Sequence, residues 1–252
     1  MKLHVLGCSG GSAPGHQPTS FLIDDCVAVD GGAITTVLCE EGQERIDHVL
    51  ISHCHLDHVA TLPFLLDNRF ARQRRPIRFY GGEATLDDLK LGLFNNRIWP
   101  DFTQLKNRKS VALELQIVHE HQPFPVAHLK VTAHAMVHPV PCFGFLIEDA
   151  TSSIFIAGDT SDPMAVREYC ADRPTLKAIV LEVSWPDRME ELGRIAGHVV
   201  PKFLAPALPL HPTAELLVSH VKPFYRDDVL AELRALAAPM RILEDGDVLT
   251  FD

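Results

Sequence analysis

Residues 50–67 read LISHCHLDHVATLPFLLD, an apolar run followed within six positions by His53, His55, Asp57 and His58. In an extended segment alternate side chains share a face, so His53 and His55 point together and Cys54 turns away. Asp57 and His58 fall where the chain turns toward a helix, with Pro63 in its first turn or kinking it. They can therefore aim at a different point. Two ligands for one cation and two for a neighbour is the natural reading, and imidazole with carboxylate suits Zn²⁺, and also Mn²⁺ or Fe. A row of surface histidines beside a helix start is a poorer account of this density, because such groups are costly to bury without partners.

Outward from this stretch, strand-like runs alternate with helical ones. KLHVLG, SFLIDD, CVAVDGG, DHVLIS and IRFYGG read as strands, with a helix expected near Ile34 to Glu41 and another over residues 84 to 95. NRIWPDFTQL breaks the period and reads as a loop or lid. ALELQIVHE, HLKVTAHAMV, CFGFLIED, SSIFIAGD, AIVLEVSW, ELLVSH and VLTFD supply further strands, and PMAVREYCADR, VPKFLAPALP and VLAELRALA further helices. Periodicity alone reaches a layered α/β fold. Two mixed sheets face to face with helices outside, an αββα sandwich, would satisfy it. Composition shows no break and no linker, so residues 1–252 are expected to form one domain.

The balance of 46% hydrophobic and 22% charged residues is that of a globular protein. No apolar run approaches the roughly 20 residues of a membrane span. The opening MKLHVLGCSGG has too few apolar residues for a secretory signal, which points to a cytoplasmic chain. The six cysteines include no Cys-x-x-Cys pair, which suits reduced thiols. A formal charge of −10 argues against general nucleic-acid or phosphate-backbone binding. The basic cluster Arg69, Arg72, Arg74, Arg75 and Arg78 reads better as a solvated helix C-terminus than as a phosphate patch.

The segment His53-Cys54-His55-Leu56-Asp57-His58 resembles the His-x-His-x-Asp-His motif of the metallo-β-lactamase superfamily. The resemblance covers nearly the whole chain and implies the αββα sandwich. That family pattern asks for a further His, a bridging Asp and a last His at strand ends. AMVHPVPCFGF supplies His138, IFIAGDTSD supplies Asp159 and LLVSHVKP supplies His220. By this likeness one metal would take His53, His55 and His138, a second would take Asp57, His58 and His220, and Asp159 would bridge them. Each remote ligand has a rival: His134 for His138, Asp149 or Asp162 for Asp159, His211 for His220. His119 and His121 form another His-x-His pair but lack the following Asp-His, and are read as exposed strand-end residues.

Within the superfamily, VLGCSGG, TSFLID, VAVDGGA, HLDHVATLPFLLDN, IWPDF, LEVSW, GHVVPKFLAPAL and VSHVKP look, in that order, like the class II cyclic-nucleotide phosphodiesterases. The likeness implies two divalent ions, most simply Zn²⁺, and a small cyclic-nucleotide or other phosphodiester substrate. A homodimer follows by family analogy alone. Asp30 could orient a ligand imidazole or simply form the turn before Gly31. Ser9 to Gly11 could offer backbone N–H groups to an anion, though a hairpin turn is the simpler reading. His198 in RIAGHVVP is expected to protonate the departing alkoxide, held upright by Glu182 of LEVSW, a pairing similar to that of tRNA-end-processing relatives. Trp99 and Phe102 are candidates to stack on a base at the mouth of the site; lid core or a dimer contact are the alternatives.

Overall fold

The computed structural model describes residues 1–72, 74–107 and 110–252. Among the described residues fourteen strands form two sheets of seven. β1 (Lys2–Gly7), β2 (Ser20–Ile23), β3 (Val27–Val29), β4 (His48–Leu50), β5 (Ile77–Gly81) and β6 (Leu113–Ile117) run side by side in the first. β7 (Phe124–Val126), β8 (Leu129–Met136), β9 (Cys142–Glu148), β10 (Ser153–Ile156), β11 (Leu176–Glu182), β12 (Glu215–Ser219) and β13 (Arg241–Ile242) make the second. β14 (Val248–Thr250) returns to pair antiparallel with β1. Each sheet is mixed: β3 to β6 are parallel, as are β10 to β13, and the remaining pairs are antiparallel.

The period-two alternation places the layers. Val27 and Val29 face inward with Ile154, Ile156, Ala178 and Val180, closing the core between the sheets. Ala28 and Val49 face outward under Ile34 of α1 (Ile34–Val37) and Leu62, Leu65 and Leu66 of α4 (Leu62–Phe70). Phe155, Ile179 and Leu181 face the opposite way, under Val166 of α6 (Pro163–Cys170) and Val229 of α9 (Arg226–Ala235). The result is the expected αββα sandwich.

Local differences have local causes. The helix expected over Ile34 to Glu41 is broken at Leu38 and Cys39, whose extended backbone separates α1 from α2 (Glu40–Glu44). The arginine cluster is largely paired. Arg69 is buried and bonds Ile46 O and Asp47; Arg72 meets Glu40 and Glu44; Arg75 meets Asp47; Arg78 meets Glu114. Acidic partners take the charge a phosphate would need. No helix among the described residues is long and apolar enough to cross a membrane.

His134 lies on β8, its ring against Phe155, His121 and Tyr169, with both ring nitrogens buried and unbonded. Burial, aided by His121, pushes its pKa down to about 4. The folded state therefore holds a neutral ring that the unfolded chain would protonate below about 6.5. Stability contributed by this site is complete above that value and falls as pH drops toward 4. Replacing His134 with Phe should remove about 2–3 kcal/mol of that acid-side loss. Urea melts of both proteins at pH 7.5 and pH 4.5 read this directly: the variant's advantage should widen at the lower pH, and an equal pH slope in both would contradict it.

Candidate metal centre

Strand ends build the site. Beyond β4 the chain runs through residues 51–55 without regular structure, His55 extended, and enters α3 (Leu56–Val59), while Cys54 turns away and donates to Thr85 O. His138 follows β8, Asp159 follows β10 after Gly158 in the left-handed region, and His220 follows β12. His220 itself has φ 60°, an uncommon conformation for a residue with a Cβ, held by its N–H on Cys8 O. Gly10 packs so closely that a Cβ there would lie 2.6 Å from His220 Nδ1.

The seven residues named from the sequence converge. His53, His55, His138 and Asp159 form one group of donor atoms, and Asp57, His58 and His220 another beside it, each able to hold a metal ion. His58 Nε2 lies 3.2 Å from His220 Nε2, and each lies 3.4 Å from Asp159 Oδ2. His220 Nε2 is also 3.4 Å from Asp57 Oδ2. Four donors around a tetrahedral ion with bonds of 2.0–2.1 Å stand about 3.3–3.4 Å apart. In the other group His138 Nε2 lies 3.2 Å from His55 Nδ1, and His53 Nε2 lies 3.6 Å from Asp159 Oδ2.

The outer partners fix which nitrogen faces inward. His58 Nδ1 donates to Asp30 Oδ2 at 2.7 Å, and His138 Nδ1 to Gly197 O at 3.1 Å. Ser52 Oγ donates to Asp30 at 2.7 Å and so accepts from His53 Nδ1 at 3.0 Å. His53 Nε2 is then buried with no partner. His138 Nε2, bare toward His55 Nδ1, and the orphaned His53 Nε2 are what a cation would satisfy. The residues present fit a pair of divalent ions.

Electrostatics agree. Burial would raise the Asp159 carboxyl, but His220 and His58 hold it well below the usual range. Burial would likewise raise Asp57, which His220, His58 and Lys222 hold well below. Burial pushes His53 well down, whereas Asp159 and Asp30 outweigh burial and hold His58 well above its ordinary value. Two carboxylates, one buried and one partly buried, are thus kept ionised in a site that calls for positive charge.

Asp30, which also accepts from Ser52 N at 2.8 Å, orients His58 as well as turning the chain. Asp30→Asn keeps its shape and tolerates its left-handed backbone. It should weaken the ion on His58 about 10–100-fold, read by chelator competition.

The rivals have other work. Asp149 pairs with the N-terminal amine, Asp162 caps α6 through Met164 N and Ala165 N, and His211 accepts from Ala214 N in the loop before β12. His119 and His121 are exposed beyond β6. At Ser9 to Gly11 the anion alternative loses two of its donors: Ser9 N donates to Gln17 O and Gly10 N to Val221 O. Phe102 is also corrected. Its ring is buried against Phe70 and Phe94 in the helical layer over the first sheet, so no face is free for a base. Trp99 joins that cluster, edge-on to Phe64.

His198 follows Gly197, the left-handed C-cap of α7 (Glu190–Ala196). Its Nδ1 lies 2.7 Å from Glu182 Oε1 and 3.8 Å from Asp159 Oδ2. Burial would lower its pKa, but Glu182 and Asp159 raise it overall. Glu182 Oε1 also accepts from Thr160 N at 3.2 Å, tying the Asp159 loop to the same carboxylate. Sequence reasoning missed Ser52 and Ser184. Their only signal is position, one residue before His53 and two after Glu182.

A sequence profile described as a β-lactamase superfamily domain matches residues 21–221. An uncharacterized protein of Mycobacterium leprae is 27% identical over 100% of this chain and 88% of its own. Ribonuclease Z of Bradyrhizobium diazoefficiens is 23% identical over 82% of each. The crystal structure of unliganded yeast PDE1 superposes with a TM-score of 0.82, at 21% identity and covering 99% of both chains. At that identity the structural likeness speaks for the fold.

Proposed function

We propose that this chain, which belongs to the metallo-β-lactamase superfamily of hydrolases, is a phosphodiesterase that opens 3′,5′-cyclic nucleotides to 5′-monophosphates. The observation that carries the reading is the Glu182–His198 pair, 2.7 Å long and within 4 Å of Asp159. A thioester or lactone hydrolase has no need of it. A phosphodiesterase does, because the 3′-oxygen leaves as an alkoxide and must take up a proton. Two divalent ions, Zn²⁺ first and Mn²⁺ or Fe as alternatives, would supply a water acidified from 15.7 toward about 7 and neutralise phosphoryl charge.

The chain's own groups do the rest. His53, His55 and His138 would hold one ion, Asp57, His58 and His220 the other, and Asp159 would lie between them. Glu182 accepts the His198 Nδ1–H, which leaves Nε2 as the atom that carries the transferable proton. The net charge of −10 and the paired arginines favour a small substrate over a polynucleotide.

A second reading is an endoribonuclease of the tRNA-processing kind, supported by the likeness to ribonuclease Z and the same Glu/His pair. Metal-reconstituted protein assayed on cyclic AMP, cyclic GMP, an aryl phosphodiester and precursor tRNA separates the two. Turnover of the cyclic nucleotides is expected. Cleavage of precursor tRNA with no cyclic-nucleotide turnover would replace the first reading with the second.

A further inference from the structure

Ser184, fully buried two residues beyond β11, touches both halves of the chemistry. Its Oγ lies 2.7 Å from Glu182 Oε2, 2.8 Å from His220 Nδ1, 3.1 Å from His220 O and 3.3 Å from His198 Nδ1. A hydroxyl has one proton and two lone pairs. The ionised carboxylate can only accept, and its contact is the shortest, so the proton goes to Glu182. A lone pair then faces His220 Nδ1, which must carry a proton, so His220 Nε2 is the nitrogen aimed at Asp57, His58 and Asp159.

We propose that Ser184 is a positioning residue that links the ion-holding His220 to the proton donor His198. The chain of donors runs His220 Nδ1–H to Ser184 Oγ–H to Glu182 Oε2, and His198 Nδ1–H closes on the other oxygen, Oε1, of the same carboxylate. The contacts join three segments: β11 and its extension carry Glu182 and Ser184, the strand end of β12 carries His220 and the end of α7 carries His198. The backbone of Ser184 is itself fixed, its N–H on Val199 O and its carbonyl accepting from Lys222 N. The hydroxyl therefore sits on a rigid frame. It sets the tautomer and rotation of one imidazole and the orientation of the carboxylate that holds the other. Without it His220 Nδ1–H loses its acceptor in a buried place, and Glu182 is held through Oε1 alone.

The proposal rests on the ligand and acid roles given above, and its test separates it from them. Ser184→Ala and Ser184→Cys, each alone and with His198→Ala, are compared in the full-length chain with Zn²⁺ as the probe. Ser184→Ala should weaken the second Zn²⁺ about 10–100-fold by chelator competition. With Zn²⁺ saturating, kcat on cyclic AMP should fall by a similar factor while KM stays within about twofold. In the His198→Ala background the same change should leave kcat within about twofold, because the group it positions is gone. Ser184→Cys, nearly isosteric with a weaker donor, should lie between, and it carries the same readings if the alanine variant does not fold. Imidazole ¹H–¹⁵N spectra of the metal-free protein should show the Nδ1–H signals of both His220 and His198 displaced. Unchanged Zn²⁺ affinity, undisplaced signals or an equal kcat loss with and without His198 would overturn the proposal. If the parent protein turns over no phosphodiester, the activity reading fails, and affinity and spectra still decide the role of Ser184.

Discussion

Asp159→Ala is expected to bind at most one ion per chain and to lose phosphodiesterase activity by well over 100-fold, more than the loss from removing a supporting partner. The reason is position. Asp159 Oδ2 is within 3.4 Å of both His58 Nε2 and His220 Nε2 and 3.6 Å from His53 Nε2, so it belongs to both donor groups at once. Removing it takes an anion from three buried imidazoles that face one another. Two ions close together would then repel without a shared ligand. Asp159→Asn, which keeps the shape and removes the charge, should fail in the same way and so exclude a packing effect. Elemental analysis after gel filtration gives the stoichiometry. Thermal melts give a second reading, since an ion that binds only the folded state adds about 4 kcal/mol at a thousandfold excess over Kd. That metal-dependent gain should shrink in both variants, and two tightly held ions in either would refute the bridging role.

The site divides into what proximity along the chain reveals and what only packing reveals. His53, His55, Asp57 and His58 are legible because a strand end and a helix start impose known directions on neighbours. Asp159 and His220 are legible because each ends an apolar run, and parallel strands leave their ends at one edge. Phe102 was not. Its neighbours Phe70 and Phe94 come from other segments, and their aromatic contacts decide its burial. Ser184 was not, because a serine after a strand has many uses and its value comes from three groups meeting there. The short β7 and β13 lacked enough residues to show a period, and the break between α1 and α2 came from two residues without Gly or Pro to mark it.

The second large effect separates proton transfer from metal binding. His198→Ala should retain both ions and lose turnover of cyclic nucleotides about 10²–10⁴-fold. Retention is expected because the three imidazoles His53, His58 and His138 have outer partners other than His198, at Ser52, Asp30 and Gly197 O. His198 does approach Asp159 and His220 as one possible donor group, so retention is a real test of its role. The size of the loss should depend on the leaving group. An aryl phosphodiester departs as a phenolate that needs no proton in the transition state, so its hydrolysis should suffer far less than opening of a cyclic nucleotide. Glu182→Gln should follow the same pattern more weakly, since an amide can still accept from His198 Nδ1–H but no longer stabilises its charge. A uniform loss across both substrates, accompanied by loss of an ion, would make His198 a ligand instead, and the proton would have to come from solvent.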